Sequence, residues 1–255
     1  MSILHFLGTG TSTGVPQIGC GCEVCSSSDP RDKRLRTSSL LETDEGVRIL
    51  IDCGPDFRQQ MLQTPPFKKI DAVLITHEHY DHVGGLDDLR PYSIFGHVDI
   101  YAEDGCSKHL MERLPYCFAE RKYPGVPNIE LHRVEPGRSF TVKGVEILPF
   151  RIMHGKLPIL GFKIGRMAYI TDMSLIGPAE IELLKNLDVL VVNALRREPH
   201  ASHESLAQAL QVISKTQARE SYLIHISHQM GTHKATESVL PPHVHLAYDG
   251  LVVTY

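Results

Sequence analysis

Six consecutive residues, His77-Glu-His79-Tyr-Asp81-His82, set three imidazoles and a carboxylate side by side. Neutral imidazole and carboxylate are ligands for zinc, manganese or iron, and such ions activate water and polarise phosphoryl or carbonyl oxygens. The apolar run Asp71-Ala-Val-Leu-Ile-Thr76 just before them reads as a buried strand, so the cluster sits on the loop leaving its C-terminal end. In extended chain, residues two apart point to the same side, which lets His77 and His79 grip one ion, with Asp81 alternating in the same way. His82 breaks the alternation and projects elsewhere, which suits a second ion.

A six-residue cluster cannot close two metal shells alone. His154 follows the strand ending at Phe150, Asp172 follows Tyr169-Ile170-Thr171, and His225 and His228 lie in Leu223-Ile-His-Ile-Ser-His228. One histidine after a strand is a weak signal. The pattern recurs after four strands, as an open α/β site demands, because the loops at strand ends converge on one crevice. A second constellation, Cys20-Gly-Cys22-Glu-Val-Cys25, offers three thiolates to a tetrahedral zinc, whose fourth ligand must come from elsewhere. Three of the six cysteines crowd into this stretch, unlike a secreted disulfide framework.

The elements that must position these residues alternate along the chain without a linker. Strand patterns cover 3–7, 38–42, 47–51, 72–75 and 98–101, then 130–134, 145–150, 159–164, 167–170, 189–192, 222–225, 245–247 and 251–254. Helical patterns cover 56–62, 109–114, 178–186, 203–214 and 236–240. The fourth carries the stripe Leu206, Ala209, Leu210, Ile213, with Ser202 placed as its N-cap. Patches at Pro65-Pro66, 123–127 and Pro241-Pro242 are short enough to be loops. Two similar α/β layers packed sheet to sheet, in one domain over 1–255, account for the order.

Bulk composition sets a modest frame. At 255 residues, 42% hydrophobic and 22% charged, the chain can build a real core. A net charge of −4 does not favour broad binding to nucleic acid or anionic membrane. No apolar run approaches the ~20 residues that span a bilayer, and the first residues lack the pattern of a signal peptide. A cytoplasmic location is expected.

His77-Glu-His79-Tyr-Asp81-His82, His154, Asp172 within Thr-Asp-Met, and His225 together resemble the metallo-β-lactamase superfamily. So do the opening Phe6-Leu-Gly-Thr-Gly-Thr-Ser-Thr-Gly14 and Ile51-Asp52-Cys-Gly54. The resemblance implies an α/β fold, a four-layer αββα sandwich of two mixed sheets, with a two-metal site at one edge. It implies that His77, His79 and His154 bind one ion and that Asp81, His82 and His225 bind the other. Asp172 bridges them, where β-lactamases of this fold usually carry cysteine. Cys20, Cys22 and Cys25 resemble more narrowly the phosphoribosyl cyclic phosphate phosphodiesterases of the carbon–phosphorus lyase pathway. There a structural zinc takes three cysteines and a histidine, the place His228 holds here. A pyrroloquinoline quinone biosynthesis family has a similar arrangement.

The expected function is hydrolysis of a small, cyclic or linear, phosphodiester. Two divalent ions roughly 3.5–4 Å apart can share a hydroxide and clamp the attacking and leaving oxygens. Zinc, manganese or iron would serve at the active site, beside one structural zinc. Asp81 and His203 are the catalytic candidates, His203 as proton donor to the leaving alkoxide with His200 second. Alternatives are a transfer-RNA 3′-end nuclease, a glyoxalase-type thioesterase and a non-catalytic metal-stabilised carrier. The short, mixed-charge stretch 105–128 argues against the nuclease and hence against a nucleic-acid partner. Oligomeric state is open, a homodimer included.

Some features carry less. The Gly8–Gly14 loop lacks the lysine of a P-loop and reads as a tight turn. Arg34 and Arg36 read mostly as solvated. His5, His97, His109, His132, His233, His243 and His245 have no evident partners in the sequence. Asp52 and Gly54 read as braces for the metal loop, and Cys53 as a small packed residue.

Overall fold

The computed structural model describes residues 1–64 and 66–255. In chain order the strands are β1 (Ile3–Gly8), β2 (Ser38–Glu42), β3 (Arg48–Ile51), β4 (Ala72–Leu74), β5 (Val98–Ala102) and β6 (Ile129–Arg133). There follow β7 (Phe140–Val142), β8 (Val145–His154), β9 (Leu157–Ile164), β10 (Met167–Tyr169), β11 (Val189–Asn193), β12 (Glu220–Ile224), β13 (Val244–Leu246) and β14 (Val252–Thr254). They form two seven-stranded sheets, ordered β14-β1-β2-β3-β4-β5-β6 and β13-β12-β11-β10-β9-β8-β7. Each is antiparallel on one side and parallel on the other, switching at β3 and at β10.

The strands read as near-continuous apolar runs because both faces of each sheet are covered. In β3, Ile49 and Ile51 face the other sheet while Leu50 faces the outer layer; in β11, Val189 and Val191 face inward and Leu190 and Val192 outward. The apolar side chains thus form three slabs. The middle one joins Phe6, Leu41 and Leu74 to Phe162, Tyr169 and Val191. The outer slabs lie under the helical layers, one against Phe57 and Leu110 and the other against Leu206, Ala209 and Ile213. Fully burying each such side chain contributes about 1.5–3 kcal/mol before entropy is counted. The architecture is the expected αββα sandwich.

Several boundaries differ from the sequence reading, each for a physical reason. Strand β8 runs on to His154 rather than stopping at Phe150, because it pairs with β9 along its whole length, His154 opposite Leu157. Strand β7 is too short for periodicity to reveal; β8 supplies its partner. The helix predicted over 109–114 begins earlier, as Asp104–Arg113. The helix capped in the prediction by Ser202 is Leu206–Thr216, capped by Ser205. Its hydroxyl accepts from Gln208 N–H while the Gln208 amide oxygen accepts from Ser205 N–H. Residues 203–205 instead lie outside the helix: Ser205 is extended, and Glu204 is held by Leu195 N–H to its carbonyl and by its own N–H to Met173 O, both at 2.9 Å. The loops at 123–127 and Pro241-Pro242 are present; Pro65 lies outside the described residues. No helix among the described residues is long and apolar enough to cross a membrane.

Candidate metal centre

Strands β3, β4, β8, β10 and β12 end at one edge of the sandwich, and the ligand-type residues emerge from those ends. Asp52, Asp172 and His225 each follow close on a strand with φ of +60°, +57° and +55°. Left-handed backbone at a residue other than glycine is uncommon. Here it turns the chain abruptly off the sheet.

The structure brings together all seven residues expected at the centre. His77, His79 and His154 present ring nitrogens within ligand spacing of one another, as do Asp81, His82, Asp172 and His225. The Asp172 carboxylate faces both neighbours in the second group, Oδ1 lying 3.2 Å from His225 Nε2 and Oδ2 3.1 Å from His82 Nε2. Asp172 also groups with His154 and His203, so it lies between the two halves. Asp81 Oδ2 is 3.2 Å from His82 Nε2 and 3.5 Å from His225 Nε2. His77, His82, Asp172 and His225 are buried, whereas His79 is exposed and His154 half-buried, so the centre opens on the His79–His154 side.

One expectation is corrected. Asp81 does not continue an extended alternation: Tyr80–Val83 is a helical turn, with His79 as its extended N-cap. The turn is fixed by the 52–54 loop, where Cys53 N–H donates to His82 O at 2.8 Å and Gly85 N–H to Cys53 O at 2.9 Å. Gly54 permits that packing, since a Cβ there would lie 2.1 Å from Asp81 O.

Outer hydrogen bonds aim the rings. His82 donates from Nδ1 to Asp52 Oδ2 at 2.7 Å, leaving Nε2 for the cluster. Thr76 Oγ1 sits 2.9 Å from both Asp52 Oδ2 and His77 Nδ1, accepting from the ring and donating to the carboxylate. His154 donates from Nδ1 to the Ser202 carbonyl at 2.7 Å. A ligating histidine is normally steered this way through its other nitrogen. The brace role expected of Asp52 is therefore specific. Asn193, missed in the sequence, exchanges 2.8 and 2.9 Å hydrogen bonds with the Met173 backbone and so fixes the turn after Asp172. Its only signal was a polar residue ending an apolar strand.

Burial opposes charge here, and neighbours decide the outcome. It works against a charged His82, yet Asp172, Asp81 and Asp52 together hold that imidazole well above the usual histidine range. Burial would raise the Asp172 carboxyl, but His225 and His82 keep it well below the usual range. Asp81 is lowered likewise, His82 overcoming the burial. His77 lies among other imidazoles and is driven well below its usual range, chiefly by burial. The residues fit divalent ions: the buried Nε2 atoms of His82 and His225 make no aligned hydrogen bond among the described residues, and the carboxylates of Asp81 and Asp172 converge on them.

His203 packs on this cluster, its ring 4.5 Å from His154 and stacked 5.0 Å from His225, with Nδ1 3.6 Å from Asp172 Oδ1. Burial, then His225, pushes it down to about 3, which keeps the ring neutral near pH 7. His200 lies 5.2 Å further out.

The cysteines form a separate corner. Cys20 Sγ and Cys22 Sγ lie 3.4 and 3.3 Å from His228 Nδ1, and Cys25 completes a group within ligand spacing. The Cys25 N–H, then His228, draws the Cys22 thiol down to about 6, while burial pushes Cys25 up to about 11. Three thiols and an imidazole at this spacing are a donor set for zinc.

Other residues fall outside both groups. Arg34 is buried, donating to Thr9 Oγ1 and Ala247 O, and Arg36 pairs with Asp56 at 2.8 Å, so neither is simply solvated. Cys53 is buried in the outer core, and the 8–14 loop is locked by Thr9 on Asp249 and by Gly10 against residues 35 and 37. Several histidines do have partners: His132 with Asp99 at 2.8 Å, His97 with Asp99 at 3.3 Å, and His245 with Glu220 and Glu237 at 3.0 and 3.2 Å.

Residues 47–226 match the family described as a beta-lactamase superfamily domain, and the chain belongs to that superfamily. A solved structure described as a new diphosphatase from the PhnP family superposes with a TM-score of 0.91 at 41% identity, covering 99% of this chain and 96% of that one. Zn(2+)-bound PqqB from Methylobacterium extorquens shares the fold, with a TM-score of 0.81 at 20% identity over 100% of both chains. Among curated relatives, an octanoyltransferase of Porphyromonas gingivalis is 51% identical over 246 residues, 96% of this chain but 50% of that protein. Coenzyme PQQ synthesis protein B of Rhodopseudomonas palustris is 36% identical over 110 residues, 38% of this chain and 36% of that protein. The chain spans about half or less of the length of these two relatives.

Proposed function

We propose that the protein is a metal-dependent hydrolase cleaving a small phosphodiester or a related diphosphate ester, with residues 1–255 acting as one domain. The observation that carries this reading is Asp172, whose two carboxylate oxygens lie 3.1 and 3.2 Å from two buried imidazole nitrogens that make no aligned hydrogen bond among the described residues. His77, His79 and His154 would hold one ion, Asp81, His82 and His225 the second, and Asp172 both. Cys20, Cys22, Cys25 and His228 would hold a structural zinc. Bound divalent ions lower the pKa of water toward neutrality and offset phosphate charge.

The chain's own residues supply the rest. Asp81, beside His82 and His225, both holds charge and orients water. Asp52, Thr76 and the Ser202 carbonyl keep three rings aimed. His203, packed on His154, would take a proton from solvent once an anionic phosphate beside it raises its proton affinity, and would pass that proton to the departing alkoxide. The likeness at 41% identity to a diphosphatase supports phosphorus–oxygen cleavage.

A second reading has one specific support, the relative named octanoyltransferase, although that name describes a protein twice the span of the match. Hydrolysis of bis-p-nitrophenyl phosphate, of a nucleoside diphosphate ester and of an octanoyl thioester, each with manganese or zinc added, decides between them. Metal-dependent turnover of a phosphorus ester, abolished by chelator, is expected. Thioester cleavage with no phosphorus-ester turnover would overturn the proposal.

A further inference from the structure

Between β11 and the helix Leu206–Thr216, residues 197–203 form a loop whose stem is closed by Leu195 N–H to Glu204 O and Leu206 N–H to Arg196 O, both 2.9 Å. Arg197, Glu198, Pro199, His200 and Ala201 are exposed, and an exposed loop of this kind is ordinarily mobile. This one is tied down by side-chain hydrogen bonds. The Arg196 guanidinium donates from Nε to Glu198 O at 3.3 Å, from Nη2 to Pro199 O at 2.9 Å and from Nη1 to Gln229 Oε1 at 2.9 Å. One planar group therefore ties two carbonyls of the loop to the residue after His228. Arg197 adds a 2.9 Å bond from Nε to Met230 O.

The far end of the loop touches the candidate centre. The Ser202 carbonyl fixes the ring of His154, and His203 stacks on His225 with Nδ1 near Asp172. We infer that Arg196 is a positioning residue, holding the 197–203 loop so that Ser202 O steers His154 and His203 stays within reach of the leaving group. The catalytic half of this inference rests on the proposed hydrolysis; the structural half does not. A fork of three donors on a rigid plane matches three acceptors that an ammonium cannot span. Misplacing a reacting group by about 1 Å can cost ~10²-fold in rate, so a loosened loop has kinetic consequences.

The test compares the full chain with Arg196→Ala and Arg196→Lys by two readouts. Amide hydrogen exchange at Leu195 and Glu204, whose N–H groups hold the stem of the loop, should quicken about tenfold in Arg196→Ala and less in Arg196→Lys, while the middle of the helix Leu206–Thr216 keeps its protection as the control for folding. Turnover of an alkyl-leaving-group diester should fall by about tenfold relative to an aryl one, with KM held, because only the poor leaving group needs the proton. Unchanged exchange at Leu195 and Glu204, or equal losses on the two diesters, would overturn the assignment. A wild-type protein that turns over neither diester would instead condemn the hydrolase reading, and the exchange measurement would still decide the clasp.

Discussion

Around Asp172, most ligand-type side chains leave a strand or a strand-end loop already braced by hydrogen bonds, whereas Cys20, Cys22 and Cys25 meet His228 from a loop and a single helical turn, Glu23–Ser26. The first cluster has its carboxylates ionised and its rings steered by Asp52, Thr76 and Ser202. The corner has thiols at unequal protonation, one near 6 and one near 11, two of them partly exposed, packed with Val15 and Val24 in a small apolar group of their own. The cluster around Asp172 is thus held by hydrogen bonds of its own, while at the corner any metal bound by the thiols would have to displace their protons.

The largest effect that could break this contrast is at the shared carboxylate. Asp172→Ala should lower kcat/KM by on the order of 10³-fold or more, since it removes charge from both halves; a loss under tenfold would mean the halves work independently. His203→Ala should slow an alkyl-leaving-group diester by about 10²-fold and an aryl one far less, and equal losses would remove its proton role. Asp52→Asn leaves every inner residue in place and should weaken active-site metal affinity about 10–100-fold in a competition titration. Cys22→Ser sharpens the contrast from the other side. One zinc per chain should be lost by metal analysis and Tm lowered, by about 2–4 °C per kcal/mol, with turnover close to wild type.

Glu204 moves stability alone. It is buried, with Oε2 unpartnered, and burial pushes its carboxyl up to about 7. A folded pKa above the unfolded one stabilises the fold below the unfolded value, near pH 4.5, and that contribution is lost as pH rises through 7. Wild type should therefore weaken between pH 5 and 8 by up to about 3 kcal/mol, and Glu204→Gln should flatten that slope in urea unfolding.

How much of this was legible depended on the range of each interaction. His77 to His82 could be read because these ligand-type residues crowd one short stretch, and His154, Asp172 and His225 because each lies at or just past the end of an apolar strand. The His82–Asp52 pair spans 30 residues and the His154–Ser202 bond 48, one of them to a backbone carbonyl, so no spacing could reveal them. The helical turn at Tyr80–Val83 was hidden for the same reason, since the neighbouring 52–54 loop imposes it. The cap at Ser205 was readable: Ser205-Leu-Ala-Gln208 spells a capping box that Ser202 lacks.

Asp52, Asp172 and His225 share a backbone twist that side chains resist, which makes each an awkward corner kept for the group it carries. Glycine would sit there more comfortably, and asparagine nearly so. Glycine in place of Asp52 would relax that backbone yet leave the Thr76 N–H and His82 Nδ1 without their buried acceptor, so the tight corner is the cost of seating a carboxylate deep inside the sandwich.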